Sequence, residues 1–266
     1  MKNTIVLGTL GVAASFAMLA LGYMAGGGGQ PAVASPQVVM AEESLPGGLD
    51  RKAIEGIVRD YLVNNPEVMI EVQAALNERQ EAEKKVAQLA TIRESSEVIF
   101  NAAYDGLVGR ADAPITVVEF FDYNCGYCKR AVGDMQKLVS ANSDVRFVMK
   151  EFPILGPDSQ RAAQVSMAFH KLSPDKYAEF HTRLLGGSGR ATEAAAIKVA
   201  LALGADEAAL RSAMKDPGIG EAVAQTYELA NRLSITGTPS YVIGEEVIFG
   251  AIGAQILEQK IADARD

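Results

Sequence analysis

Apolar positions along this chain follow several distinct rhythms, and each rhythm predicts a different kind of element. From Ile5 to Ala25 a predominantly apolar run has no alternation, and no charged residue falls between Lys2 and Glu42. Gly26–Gly29 and then the small-x-small triplet Ala32-Val33-Ala34 follow it. That order suits an export segment over residues 1–34, either cut after Ala34 or retained as an anchor, since about 20 apolar residues can span a bilayer. Residues 35–48, with Pro36, Pro46, Gly47 and Gly48, read as a linker. Ile54, Ile57, Val58, Tyr61 and Leu62 then fall on one stripe of a helix. Asn65, Pro66 and Glu67 suit the N-cap, first position and dipole end of a second helix. Without a glycine or proline from Glu67 to Ile99, that helix is expected to run on unbroken. Steps of four and three from Val68 through Val72, Ala75, Arg79, Ala82, Val86 and Leu89 to Arg93 would make a coiled-coil seam with two costly arginines. An ordinary surface helix packed on its own domain fits equally well. An amphipathic stripe left uncovered marks an interface, so residues 49–104 are expected to be a helical extension through which the chain forms a homo-oligomer.

Beyond residue 105 the rhythm becomes that of an α/β domain. Ile115–Phe121 is short, β-branched and aromatic, as a strand buried on both faces should be. A helix is predicted over Cys125–Val139 and a second strand over Val145–Met149; this β-α-β order implies a parallel pair with a right-handed crossover. From about 155 to 234 the pattern is helical, broken only by proline- and glycine-bearing stops. Tyr241–Ile243 and Val247–Phe249 then flank a Gly244-Glu245 turn, and a last helix runs from about Gly253 to Ala264.

Composition narrows the function classes. Of 266 residues, 48% are hydrophobic and 22% charged, which excludes wholesale disorder. The net charge of −8 argues against a nucleic-acid partner, because phosphate binding needs a basic footprint.

Chemistry concentrates in the two cysteines, which form one Cys125-Gly126-Tyr127-Cys128 pair directly after the buried strand. At a helix N-terminus Cys125 meets unpaired amides and the positive dipole end, which favour its thiolate; Cys128 is one turn away and can resolve a mixed disulfide. A structural staple is the bland alternative, but a loop so short constrains little chain entropy. Zinc needs four ligands, and His170 and His181 stand eleven apart, more like packing or surface residues than ligands. Copper(I) between the two thiolates remains an alternative, since soft sulfur suits it. No other metal or cofactor is implied.

The stretch Val118-Glu119-Phe120-Phe121-Asp122-Tyr123-Asn124-Cys125-Gly126-Tyr127-Cys128, with Lys150-Glu151-Phe152-Pro153-Ile154-Leu155 and Gly237-Thr238-Pro239-Ser240, resembles the active-site segments of DsbA-like thiol–disulfide oxidoreductases. The resemblance covers about residues 105–266. It implies a thioredoxin-like fold with a helical insertion at about 155–234, preceded here by the α-helical extension. It also implies that Glu119 handles protons for the buried cysteine, and that Pro239 is a cis-proline whose neighbour Thr238 pairs with an extended substrate segment. Gly126 and Tyr127 would line that substrate site. They offer no cation to the thiolate, and together with Thr238 they look more like disulfide isomerases than the strongest oxidases. Residues 49–104, including Asn64-Asn65-Pro66-Glu67-Val68, resemble the oligomerising extension of suppressor-of-copper-sensitivity (Scs) proteins. The implied partners are proteins carrying thiols or disulfides and a membrane redox partner, and the implied location is the periplasm. Formation and isomerisation of disulfides both remain open.

Overall fold

A computed structural model describes residues 50–265. The expected export segment (1–34) and linker (35–48) lie outside the described residues. Between Val68 and Met69 the chain divides into two compact units.

In the first unit, α1 (Arg51–Asn64) starts where the Asp50 carboxylate accepts a hydrogen bond from the Ala53 amide at 2.7 Å. None of its residues is buried, and the predicted stripe stands open, with Ile57 58% and Tyr61 57% exposed. Asn65 does not cap the next helix with its side chain, as its position suggested. It closes α1 instead: its backbone amide and its side-chain amide both donate to the Tyr61 carbonyl at 2.8 Å. The amide of an asparagine can donate as well as accept, so it can add a second hydrogen bond to a carbonyl behind it rather than accept from an orphan N–H ahead.

Most of α2 (Glu67–Glu94) belongs to the second unit. The expected seam is largely open, with Val72 55% and Val86 69% exposed, and Arg79 pairs with Glu83 one turn on. A different stripe is covered: Gln88, Thr91 and Ile92 near the C-terminus are buried, and Gln88 donates to the Leu233 carbonyl at 2.7 Å. The helix packs on its own domain there. It also stops short of the expected end. At Ser95 the chain jogs into a short α3 (Ser96–Phe100), with the Ser95 hydroxyl accepting from Arg232 at 2.9 Å.

Five strands form one sheet in the order β1-β3-β2-β4-β5, from β1 (Gly106–Gly109), β2 (Ile115–Phe121), β3 (Val145–Glu151), β4 (Ser240–Ile243) and β5 (Glu246–Phe249). Only β2 and β3 are parallel, as the intervening α4 (Gly126–Ala141) requires. The sequence did not announce β1, four residues bounded by glycines. Gly106 is needed because a Cβ there would lie 1.8 Å from the Tyr177 ring.

Central strand β2 is buried on both faces, and alternation sorts its side chains. Val118 and Phe120 pack with Val148, Phe152, Ile92, Ile99 and Leu233 on one face. Val117 and Phe121 share the other with α4 and α10 (Ala254–Asp263). The insertion packs against this second face through α5 (Pro157–Leu172) and α6 (Tyr177–Leu185), and continues through α7 (Glu193–Ala202), α8 (Glu207–Ala213) and α9 (Pro217–Arg232). The thioredoxin-like architecture with its helical insertion is therefore present, as expected.

Candidate active site

Strand β2 ends at Phe121, and three residues later Cys125 is the N-cap of α4. The loop between them is tied down by the insertion. Asp122, buried, accepts from the Asn124 amide and the Ser159 hydroxyl at 2.7 Å each, and from the Leu155 amide at 2.9 Å. Asn124 in turn exchanges hydrogen bonds with the Ala191 backbone, donating at 3.0 Å and accepting at 2.8 Å. Tyr123 shares a 2.8 Å hydrogen bond with Ser166 on α5. Sequence reasoning missed Asp122, Asn124 and Ser159 as supports of the site. The signal for Asp122 and Asn124 was there, since short polar side chains just before a helix make such turns.

The two sulfurs are not bonded to each other. They differ sharply. Cys125 keeps 6% of its surface exposed and Cys128 none. The Cys125 sulfur accepts from the Cys128 amide at 3.5 Å and faces the Thr238 carbonyl at 3.1 Å. Its thiol is lowered to about 5, first by the hydrogen bond from the Cys128 thiol, then by the Thr238 side chain and the backbone amides of Cys128 and Tyr127, against an upward pull from burial. The Thr238 carbonyl can accept from Cys125 only while the thiol is protonated. Burial pushes the Cys128 thiol far up, and its hydrogen bond to Cys125 and the nearby Glu119 charge add to that.

Glu119 is 2% exposed on the α4 face of β2. Burial first, then the charges of Cys125 and Asp134, raise its carboxyl to about 8. Thr238–Pro239 is a cis peptide just before β4 and lies beside the cysteines through the Thr238 carbonyl. The structure thus brings Cys125, Cys128, Glu119 and Thr238 together. Tyr127 stands at the surface, 61% exposed, with Arg130 over its ring at 4.3 Å. A Cβ on Gly126 would meet open space, so packing does not demand glycine there.

Of the two histidines, His181 is fully buried beside Phe121 and Tyr123, and burial lowers it to about 3, so it is a neutral core residue at ordinary pH. Among the described residues no group of three or more His, Cys, Asp and Glu lies close enough to hold a metal ion. No described helix is long and apolar enough to cross a membrane.

Residues 116–262 match the profile of the DSBA-like thioredoxin domain, and residues 50–83 that of the copper resistance protein ScsC N-terminal domain. A thioredoxin-like oxidoreductase from Silicibacter pomeroyi is 37% identical, with a TM-score of 0.60 over 64% of this chain and 96% of that one. ScsC of Proteus mirabilis in a transitional conformation is 28% identical, with a TM-score of 0.61 over 81% and 94% of the two chains. Disulfide bond formation protein D of Bacillus subtilis is 38% identical over 82 residues, 29% of this chain and 37% of its own. The chain also spans 24% of the length of two Na(+)/H(+) antiporters NhaA from Salinispora species, at 26% identity over 162 residues or 60% of this chain.

Proposed function

Because this chain belongs to the DSBA-like thioredoxin domain family, we propose that it exchanges thiols and disulfides with substrate proteins through Cys125 and Cys128. The single observation that carries this reading is the asymmetry of the pair, with Cys125 lowered to about 5 and Cys128 sealed beneath it. A substrate thiolate attacks Cys125 in the oxidised pair, forming a mixed disulfide, and Cys128 leaves with the electron pair. Glu119, which holds its proton up to about pH 8, delivers that proton to the departing sulfur. A second substrate thiol then attacks the mixed disulfide, and Cys125 leaves as a stable thiolate. The substrate gains a disulfide and the protein is left with a dithiol, whose two electrons pass to a membrane redox partner. In the reduced pair the Cys125 thiolate attacks a wrong substrate disulfide and releases one substrate thiolate; a different substrate thiolate then attacks the mixed disulfide and expels Cys125, so the disulfide moves with no net oxidation.

A stabilised Cys125 thiolate favours the reduced form and makes the couple oxidising, so disulfide formation is the direction we place first. Thr238, Pro239, Gly126 and Tyr127 border the groove where an extended substrate strand would lie. The apolar leader and the Ala32-Val33-Ala34 triplet support export to the periplasm, either free or tethered by residues 1–34. The exposed stripe on α1 supports self-association through residues 49–104.

Equilibration of the full chain with glutathione buffers, read by thiol trapping, tests the direction. A pair that stays mostly oxidised in a reducing buffer would overturn disulfide donation. Loss of exchange in Cys125→Ser, with trapped mixed disulfides in Cys128→Ala, is expected; full activity of Cys125→Ser would overturn the mechanism itself. Copper(I) between the two thiolates is a second reading, favoured by the match of residues 50–83 to the copper resistance protein profile. Titration of the reduced chain against a competing copper(I) chelator decides it.

A further inference from the structure

A cavity of about 290 Å³ opens beside Thr238, lined by Lys84, Thr236, Gly237, Thr238, Ser240 and Phe249 among others. Its walls come from three parts of the chain: the loop before β4, the end of edge strand β5, and α2 of the N-terminal extension. The contribution of α2 is a cation. Lys84 holds its ammonium 4.8 Å from the centre of the Phe249 ring, and Phe249 is itself 43% exposed. Elsewhere on α2, Arg79 and Arg93 sit on carboxylates, while Lys85 has no carboxylate partner among the described residues and does not line the cavity. The nearest acidic neighbour in sequence, Glu83, is turned away to Arg79. Among the described residues no carboxylate or carbonyl holds the Lys84 ammonium, which faces the Phe249 ring. A cation over an aromatic ring at the rim of a cavity keeps most of its charge available to an incoming anion.

The floor of the cavity is open. An added Cβ would meet nothing within 4 Å at either Gly237 or Gly250, and the Ser240 hydroxyl is turned inward to the Gly237 carbonyl at 2.8 Å. The one charged side chain among the lining residues is Lys84, and a charge separates guests by sign as the Thr236 and Thr238 hydroxyls do not. Its distance from the chemistry is set by Thr238, which lines the cavity and whose carbonyl lies 3.1 Å from the Cys125 sulfur. A substrate strand advances roughly 3.3 Å per residue and turns successive side chains to opposite sides. With its cysteine at Cys125, a side chain one or two positions away falls at the cavity.

We propose that Lys84 and Phe249 form a substrate subsite that favours cysteines flanked by an acidic residue. The inference rests on the thiol–disulfide exchange reading above and names the substrate class for that site. The carboxylate enters beside Lys84, and the stem of the glutamate or aspartate lies on the Phe249 ring. In a chain of net charge −8 acidic substrates are otherwise repelled, so this local cation decides whether they dock.

The test uses the reduced full chain and a set of extended peptides, each with one cysteine in a mixed disulfide with thionitrobenzoate. The residues one and two positions to either side are varied among Glu, Gln and Lys. Attack of the Cys125 thiolate on the peptide sulfur releases coloured thionitrobenzoate; Cys128 then displaces the peptide thiol and closes the protein disulfide. Glu peptides are expected to react about three- to tenfold faster than Lys peptides at one of these positions, with Gln between them, and added salt should shrink the ratio. Lys84→Met should abolish the preference, Lys84→Glu invert it and Lys84→Arg retain it. Equal rates for all peptides with the unaltered chain, or the same ratio in Lys84→Glu, would overturn the subsite. A neutral small disulfide, hydroxyethyl disulfide, separates the two levels. If the unaltered chain reacts with it but shows no preference among peptides, the subsite alone fails; if it reacts with neither, the exchange reading fails and takes the subsite with it.

Discussion

Cys125 and Glu119 titrate in opposite senses, and their opposition has a measurable signature. The Cys125 thiol is depressed from 9.0 to about 5, so its contribution to the stability of the reduced protein is present above the ordinary thiol range and lost as pH falls through about 5. The Glu119 carboxyl is raised from 4.5 to about 8, so its contribution is present below about 4.5 and lost as pH rises through about 8. Between pH 5 and 8 the two slopes oppose each other, each with a limit of about 1.4 kcal/mol per pH unit. Denaturant unfolding of the reduced chain and of variants at each position, compared across that window, separates the two contributions. Relative to the unaltered chain, Glu119→Gln should tilt the stability profile upward with pH and Cys125→Ser should tilt it downward. Parallel profiles in all three proteins would show that the two groups are not linked to folding. Alkylation offers a direct check on the thiol: Cys125 should be modified with a midpoint near pH 5, and Cys128, with no exposed surface, should stay unmodified in the native protein.

At the scale of the element, the insertion does more than cover one face of the sheet. Leu155 just before α5, Ser159 on it and Ala191 just before α7 hold the Asp122–Asn124 loop from outside the β-α-β unit. Removing the Asp122 carboxylate would leave the Leu155 and Asn124 amides without their acceptor, each at about 1–3 kcal/mol. Asp122→Ala is therefore expected to destabilise the protein by about 2–4 kcal/mol in denaturant unfolding, and to raise the Cys125 midpoint as its cap loosens. An unchanged midpoint would mean that α4 alone positions the sulfur. A second buried pairing, of Lys150 with Asp105, ties β3 to the segment before β1, with Lys150 also donating to the Val98 carbonyl at 2.6 Å. It lies on the face opposite Glu119, because Lys150 pairs across the sheet with Phe120.

For the whole molecule, the open question is what covers α1. Ile57, Val58 and Tyr61 are all at least half exposed on one stripe, more apolar surface than a lone helix keeps in water. The full chain is expected to be a homo-oligomer by light scattering at micromolar concentration. Ile57→Glu with Tyr61→Glu should shift it to the monomer without loss of Cys125 reactivity. A monomeric parent chain at that concentration would remove self-association.

Much of the site was legible in the residues because its chemistry is local. A buried strand, a C-x-x-C pair and a helix start are adjacent in sequence, so spacing alone placed Cys125 at an N-terminus and Cys128 one turn on. The same holds for β2, β3 and the β4–β5 hairpin, whose β-branched and aromatic runs are flanked by clear breaks. The remainder is long-range. Strand β1 is too short and glycine-bound to show a period, and exists because β3 offers it an edge and the Tyr177 ring fills the space over Gly106. The buried stripe of α2 is Gln88, Thr91 and Ile92 rather than the apolar seam, since a glutamine is buried once the Leu233 carbonyl, 145 residues away, accepts its hydrogen bond. Neither Asp122's grip on α5 nor the meeting of Thr238 with Cys125 is encoded near those residues. By itself the sequence determined which groups could do the chemistry, which thiol the helix start favours and which segments could be strands or helices; only tertiary packing decided which polar groups were buried with partners, and so how far the two thiols are driven apart.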